Sequence, residues 1–239
     1  MLPEKPLPVK GTILSKEFYS GDDVVAISRA LLGKVLCCNV DGESAKAIIT
    51  ETEAYAGVDD KASHAYRGRR TKRTEIMYAQ GGIAYVYLCY GIHHLFNVVT
   101  NKVDIPHAVL IRAGFPFEGA MHMLLRRGKK KPDKNLLAGP GSLSKALGIT
   151  TKLSGASLTG GSVWIEDYGL CADDQHIQTG PRIGIDYAEE DAARPYRFLI
   201  NLTTCPVGAS PEARPRPKEP YPKDRPLQLA YRHSCRSVS

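Results

Sequence analysis

The most constraining stretch of this sequence is residues 48–112, IITETEAYAGVDDKASHAYRGRRTKRTEIMYAQGGIAYVYLCYGIHHLFNVVTNKVDIPHAVLIR. Several of its short runs have the two-residue period of β-strands, in which alternate side chains share a face. One run carries Glu51, Glu53 and Tyr55 on a common face. Another carries Tyr85, Tyr87 and Cys89 on one side and Val86, Leu88 and Tyr90 on the other, so that Tyr87 and Tyr90 serve different surfaces. A carboxylate beside an aromatic ring can activate water, or stabilise positive charge developing on a sugar. On spacing alone, a surface strand with its polar residues in water is the stronger reading, and tyrosine is a common strand former.

The rest of the chain extends the strand pattern. Residues 24–36 have helical spacing, with Val24, Ile27, Leu31, Leu32 and Val35 in phase. Residues 34–40 read as a strand, Asp41-Gly42 as a turn and 47–55 as the returning strand. Residues 75–78 and 83–90 read as two strands joined by Ala79-Gln80-Gly81-Gly82, and 96–100 and 108–113 continue the pattern. Residues 119–127 predict a helix with Met121, Leu124 and Leu125 inward. Gly139-Pro140-Gly141 is a sharp turn into a short helix over 142–147, which Gly148 stops. Later strands are expected at 163–166, 178–185 and 198–202. Strands outnumber helices and run mostly in hairpin order. The expected class is therefore α+β, a single domain with a curved, mostly antiparallel β-sheet flanked by helices. That domain is expected to span residues 1–205, followed by a Pro-rich basic tail over 206–239.

The chain has 239 residues, 43% of them hydrophobic, enough to bury a core. No apolar run approaches the ~20 residues that span a bilayer, so no membrane partner is expected. The N-terminal MLPEKPLPVKG has Glu and Pro where a signal peptide needs an apolar stretch. The expected location is cytoplasmic: at the nucleoid in a bacterium, in the nucleus of a eukaryote. The six cysteines form no C-x-x-C pair and read as reduced, mostly buried thiols. The seven histidines show no metal-binding spacing, so neither a metal nor another cofactor is expected. Net charge is +7. The excess is clustered in Arg67, Arg69, Arg70, Lys72 and Arg73, and again in Arg126, Arg127, Lys129, Lys130, Lys131 and Lys134. Such blocks favour a polyanionic partner, although either alone reads equally well as a solvated loop.

Three features combine into a resemblance. They are the run Thr52-Glu53-Ala54-Tyr55, His64 eleven positions after Glu53, and Tyr85-Val86-Tyr87 followed by Tyr90-Gly91 and Asn97. Together they resemble the alkyladenine (3-methyladenine) DNA glycosylase family, over roughly residues 32 to 200. The resemblance implies a monofunctional enzyme that flips a damaged purine out of double-stranded DNA and hydrolyses its glycosidic bond. It implies Glu53 as the carboxylate that activates water, with Arg112 and the backbone carbonyl of Ile183 beside that water. Tyr55, His64 and Tyr87 would be the walls that sandwich the flipped base, and Asn97 the residue that disfavours the exocyclic amine of guanine. Tyr90 would sit at the tip of a protruding β-hairpin and fill the gap in the DNA. The basic block, Arg67 to Arg73, would contact DNA. A monomer is expected, since one damaged base needs no two-fold protein.

Two departures stand out. Ser142 occupies a position where the family often has a basic residue, which leaves Lys145 or the helix N-terminus to contact phosphate. The segment NLTTCPVGAS, from Asn201, drifts from the family pattern. Rival readings are a nucleic-acid-binding domain that keeps the pocket without cleaving, and hydrolysis of free nucleosides or modified RNA. A dinucleotide site at 139–148 lacks the glycine fingerprint, because Ser144 stands where a glycine is needed.

Overall fold

The computed structural model describes residues 11–170 and 174–200. The Pro-rich tail, the drifting segment from Asn201 and Cys171, Cys205 and Cys235 lie outside those residues. The described elements, in chain order, are β1 (Thr12–Ile13), α1 (Lys16–Tyr19), α2 (Val24–Ala30), β2 (Val35–Val40), β3 (Glu43–Tyr55), β4 (Ile83–Cys89), β5 (His93–Thr100), β6 (His107–Glu118), α3 (Ala120–Arg127), α4 (Pro140–Leu147), β7 (Val163–Asp167), β8 (Ile177–Gly180) and β9 (Arg197–Ile200). Short 3-10 turns fill several of the connections.

Among the described residues the strands form one antiparallel sheet in the order β1-β7-β2-β3-β6-β5-β4, with β9 on β3 and β8 on β9. β3 organises it. Its first half pairs with β2, its second half pairs with β9 from Glu51 to Glu53, and β6 runs along its other edge. The β3–β6 register shifts on both sides of Glu51. Such irregularities bend a strand and increase its twist, which curls the sheet. Helix α2 packs on β3 and β6, and α4 packs on β5 and β6. Residues 47–54 of β3 are consequently buried throughout, and Leu36, Ile48, Phe96, Val98, Ile111 and Leu143 belong to the main core. The α+β class and the curved antiparallel sheet are as expected.

Local chemistry explains the element ends. The Asp23 carboxylate accepts from the N–H groups of Val25 and Ala26, both at 2.9 Å, and so caps α2. The helix stops at Ala30, short of the expected residue 36. Gly33 adopts φ +81°, and a Cβ there would lie 2.6 Å from the Leu170 carbonyl oxygen. Val35, in phase with the helix by spacing, instead opens β2. Cys37 and Cys38 are buried free thiols on that strand, and burial pushes the Cys38 thiol up to about 12.

Three expectations are corrected. Glu75–Tyr78 is a 3-10 turn, not a strand. Hydrogen bonds between Thr71 and Thr74 tighten the chain ahead of it, and Met77 and Tyr78 turn inward together. In α3, Met123 and Leu124 face the core while Met121 and Leu125 are exposed, because the helix starts at Ala120 in a different phase. The strand expected over 178–185 ends at Gly180. Pro181 has no N–H to continue the ladder, and residues 181–185 form a loop instead. No described helix is long and apolar enough to cross a membrane.

Phe96 is fully buried on β5, where truncation opens a cavity. Phe96→Ala is expected to cost about 3–5 kcal/mol of stability. Chemical denaturation will check this as a lowered midpoint at unchanged slope.

Candidate active site

The second half of β3 places Glu53 directly behind the wall of a cavity of about 380 Å³, in contact with Tyr55, Arg112 and Ile183, which line it; the volume suits a small planar ligand. Glu53 is 0% exposed. A carboxylate removed from water needs hydrogen-bond partners, and three segments supply them. Oε1 accepts from the backbone N–H of Ile183 at 2.8 Å and lies 3.4 Å from Nη1 of Arg112 on β6. Oε2 accepts from the Tyr55 hydroxyl at 2.9 Å. Burial, and then the Glu53 charge, push the Tyr55 phenol well above its ordinary value, so it stays a donor.

Glu51 sits beside this group. Its Oε1 accepts from Nε of Arg197 at 2.6 Å and from Nε of Arg112 at 3.3 Å. Arg112 thereby bridges the two carboxylates. The alternation that puts Glu51, Glu53 and Tyr55 on one face is what lets a single guanidinium serve both acids.

The cavity walls are aromatic. Tyr55, His64, Tyr85 and Tyr87 line it, with Asn97, Arg112 and Ile183. His64 and Tyr87 meet edge-on with ring centroids 4.7 Å apart, and Tyr85 and Tyr87 lie 5.5 Å apart at a tilt. His64 Nδ1 is 2.9 Å from the Tyr85 hydroxyl. Burial, followed by the charges of Arg73 and Arg69, lowers the His64 imidazole to about 4. The ring is neutral at physiological pH. Asn97 is buried, and its amide nitrogen donates to the carbonyls of Tyr85 at 3.1 Å and Leu95 at 3.3 Å.

The rim is a hairpin. β4 and β5 are joined at Cys89↔His93, and the connecting Tyr90 and Gly91 both have positive φ, 51° and 73°. A left-handed Tyr costs about 1–2 kcal/mol, and Gly91 carries the second left-handed position without that penalty. The turn leaves Tyr90 92% exposed at the cavity mouth and Ile92 72% exposed next to it.

The structure brings Tyr55, His64, Tyr87, Tyr90, Asn97, Arg112 and Ile183 to one cavity, with Glu53 directly behind Tyr55, Arg112 and Ile183. Ile183 meets Glu53 through its amide, a contact in addition to the carbonyl role that the resemblance implies. Arg67, Arg69, Lys72 and Arg73 are exposed, with Arg67 stacked on Tyr66. Arg70 is set apart from the block. It ion-pairs with Glu75 and Asp104, both at 2.7 Å, and stacks on Tyr78. A phosphate would have to displace both carboxylates. Lys145 is exposed on α4 and does not line the cavity. Residues that sequence reasoning left without a role are Arg182, Asp60 and Arg197; each meets its acid or base partner across more than a hundred positions.

A wider depression of about 660 Å³ lies between Lys61, Arg67, Glu190 and Arg194. Its charges pair mostly with one another, as in Lys61–Glu190 at 2.8 Å and Arg194–Asp191 at 2.7 Å. Its buried carboxylate, Asp191, is paired with Arg194, and Tyr66 is its one aromatic wall among the described residues, so the smaller cavity, with its several aromatic rings, is the chemically equipped one.

A buried carboxylate with fixed donors, behind an aromatic slot with an exposed aromatic tip, is an arrangement able to hold a flat ring and to orient a water. Residues 17–204 match the family model described as methylpurine-DNA glycosylase. A Chlamydia abortus protein is 46% identical over 191 residues, which cover 80% of this chain and 99% of that one. A Bacillus cytotoxicus protein is 50% identical over 194 residues, 77% of this chain and 93% of its own. A Desulfitobacterium hafniense protein is 43% identical over 194 residues, 78% of this chain and 94% of its own. All three carry the name "putative 3-methyladenine DNA glycosylase". This chain belongs to the methylpurine-DNA glycosylase family, hydrolases that cleave N-glycosyl bonds in DNA.

His64 makes stability pH-dependent. In the unfolded chain a histidine takes up a proton below about 6.5. The folded ring resists until about 4, so protonation in that window favours unfolding and stability falls as pH drops through it. His64→Gln is expected to flatten that part of the profile. Denaturation midpoints from pH 7 to pH 4 will show whether the slope of the wild type shrinks in the variant.

Proposed function

We propose that this protein extrudes an alkylated or deaminated purine from duplex DNA and hydrolyses its N-glycosidic bond with water, leaving an abasic site and an uncut strand. The observation that carries this reading is Glu53, fully buried behind the cavity wall and held by three residues that line it, Ile183, Tyr55 and Arg112. A carboxylate offers about four acceptor positions. Three are engaged, which leaves one on Oε2 for a water molecule.

In the proposed step the water oxygen attacks C1′ and passes a proton to Glu53. The electron pair of the C1′–N bond leaves with the base. A purine alkylated on N3 or N7 is cationic and departs neutral, so no general acid is required. Charge building on the sugar is stabilised by the nearby carboxylate. Deaminated or etheno-bridged bases are neutral and need protonation to leave.

The walls suit this substrate. A cationic base between Tyr55 and Tyr87 gains a cation–π contribution of about 1–2 kcal/mol over a normal one. A neutral His64 adds no opposing charge. The side chain of Asn97 faces the same space, where the exocyclic amine of guanine would meet it. Extrusion costs a few kcal/mol of stacking, and Tyr90 filling the gap offsets part of it. Arg67, Arg69, Lys72 and Arg73 supply a cationic rim for phosphates. No lysine lines the cavity, which supports attack by water over a Schiff-base intermediate. One copy of the chain furnishes every group named, in keeping with a monomer that meets its substrate at the nucleoid or in the nucleus.

Glu53→Gln is expected to slow base release about 10²–10⁴-fold while leaving lesion binding intact. Single-turnover release from a duplex with one ethenoadenine, and from methylated DNA, measures the first; anisotropy measures the second. Loss of both together would assign Glu53 to the fold. Tight lesion binding without release by the wild type would favour a damage-binding protein. Tyr90→Ser is expected to weaken affinity for an abasic-site duplex about 10-fold or more, on the scale of a lost base-stacking contact. Unchanged affinity there would remove Tyr90 from the DNA interface. A binding constant that falls steeply with added salt separates a duplex substrate from a free nucleoside.

A further inference from the structure

Arg182 and Asp60 form an ion pair that the chemistry above does not use. Both side chains are 0% exposed. Nη1 of Arg182 donates to Oδ2 of Asp60, and Nη2 donates to Oδ1 at 2.8 Å. The pair also bonds four backbone groups. Arg182 donates to the carbonyls of Ala54 at 2.9 Å and Asp191 at 3.2 Å. Asp60 accepts from the N–H groups of Ala56 and Ala62, each at 3.0 Å. The guanidinium carbon lies 4.8 Å from the Tyr55 ring centroid and 5.3 Å from that of Tyr196.

Three of the four contacts land within two residues of a residue of the site. Ala54 and Ala56 flank Tyr55, Ala62 is two residues before His64, and Arg182 itself precedes Ile183. Ile183 lies in a loop outside the sheet, yet its N–H must stay on Glu53. A buried ion pair is weak evidence for stability, since well-packed apolar residues often replace one without loss. Apolar residues could not hold four backbone groups in register.

We propose that the Arg182–Asp60 pair is the positioning device of this site, fixing the Tyr55 ring from behind and holding the Ile183 amide on Glu53. Arg182 and Asp60 are positioning residues, and neither lines the cavity. When the guanidinium is displaced, the Ile183 amide leaves Oε1 and Tyr55 loses its rear support. Glu53 then turns from the line of attack, and the rate of bond cleavage falls while the DNA-holding tip is untouched. The inference rests on the reading that Glu53 activates the water.

The test uses Arg182→Lys, Arg182→Met and Asp60→Asn in the full chain, with ethenoadenine duplex as substrate and an abasic-site duplex as binding probe. Misplacement of about 1 Å can cost 10²-fold in rate. Single-turnover release is expected to fall about 10- to 100-fold, with abasic-duplex affinity within about 2-fold of wild type. Arg182→Lys, which keeps the charge, should retain more activity than Arg182→Met. Groups that act through one another are not additive, so Arg182→Lys combined with Tyr55→Phe should lose less than the product of the two single losses. Wild-type rates in folded variants, full multiplicativity, or parallel loss of rate and abasic affinity would each overturn the proposal. Should the Arg182 variants not fold, Asp60→Asn carries the same measurements; if none folds, the pair belongs to the fold alone and the proposal fails. Glu53→Gln run alongside separates the two ideas. Release by Glu53→Gln at the wild-type rate sinks the parent reading, whereas its silence beside fully active Arg182 variants sinks only this one.

Discussion

Everything in this structure is arranged around a fully buried carboxylate. Glu53 lies on the central strand, and a lone buried charge there would be prohibitively costly. The cost is met by a backbone amide from the loop after β8, a guanidinium from β6 and a phenol two residues along β3. Those partners come from segments 59 and 130 positions away, by the residue numbers of Arg112 and Ile183. The fold must therefore close around β3 before the group is tolerated. Pairing of β3 with β2, β9 and β6 is the means.

The same burial sets the electrostatic character of the cavity above. Its aromatic walls are uncharged: Tyr55, Tyr85 and Tyr87, whose phenols burial keeps protonated, and an imidazole that burial and the neighbouring arginines keep neutral. Positive charge is exposed on Arg67, Arg69, Lys72 and Arg73, none of which lines the cavity, or is spoken for by acids, as with Arg70, Arg112 and Arg182. Under the proposed function, a cationic ring entering the slot would meet π-faces with Glu53 behind them, and phosphates would meet the exposed cations outside. Separation of the two fields follows from the depth of β3 and the height of the β4–β5 hairpin.

Much of this was legible in residue order. Alternation put Glu51, Glu53 and Tyr55 on one face and Tyr85 with Tyr87 on another, and both groupings hold because strand geometry is local. The Asp41-Gly42 turn and the stop of α4 at Gly148 are likewise short-range effects of backbone preference. Errors came where tertiary contacts overrode local pattern. Glu75–Tyr78 has strand-like residues but is drawn into a 3-10 turn by its threonines and buried rings. The phase of α3 was set by where its chain leaves β6, which spacing alone does not encode. Arg70 looked like its neighbours in a basic run, yet Glu75 and Asp104 occupy it.

Local periodicity was enough to specify a sheet protein with Glu51, Glu53 and Tyr55 on one face, because strand alternation depends on neighbours two positions apart, whereas the carboxylate among tyrosines was implied by the family resemblance. Which backbone amide would meet Glu53, that Arg112 would bridge two acids, and that Arg182 would find Asp60 behind Tyr55 were decided only by the closed fold. Such pairings join groups tens to more than a hundred positions apart, and each is favourable only once water has been excluded from between them.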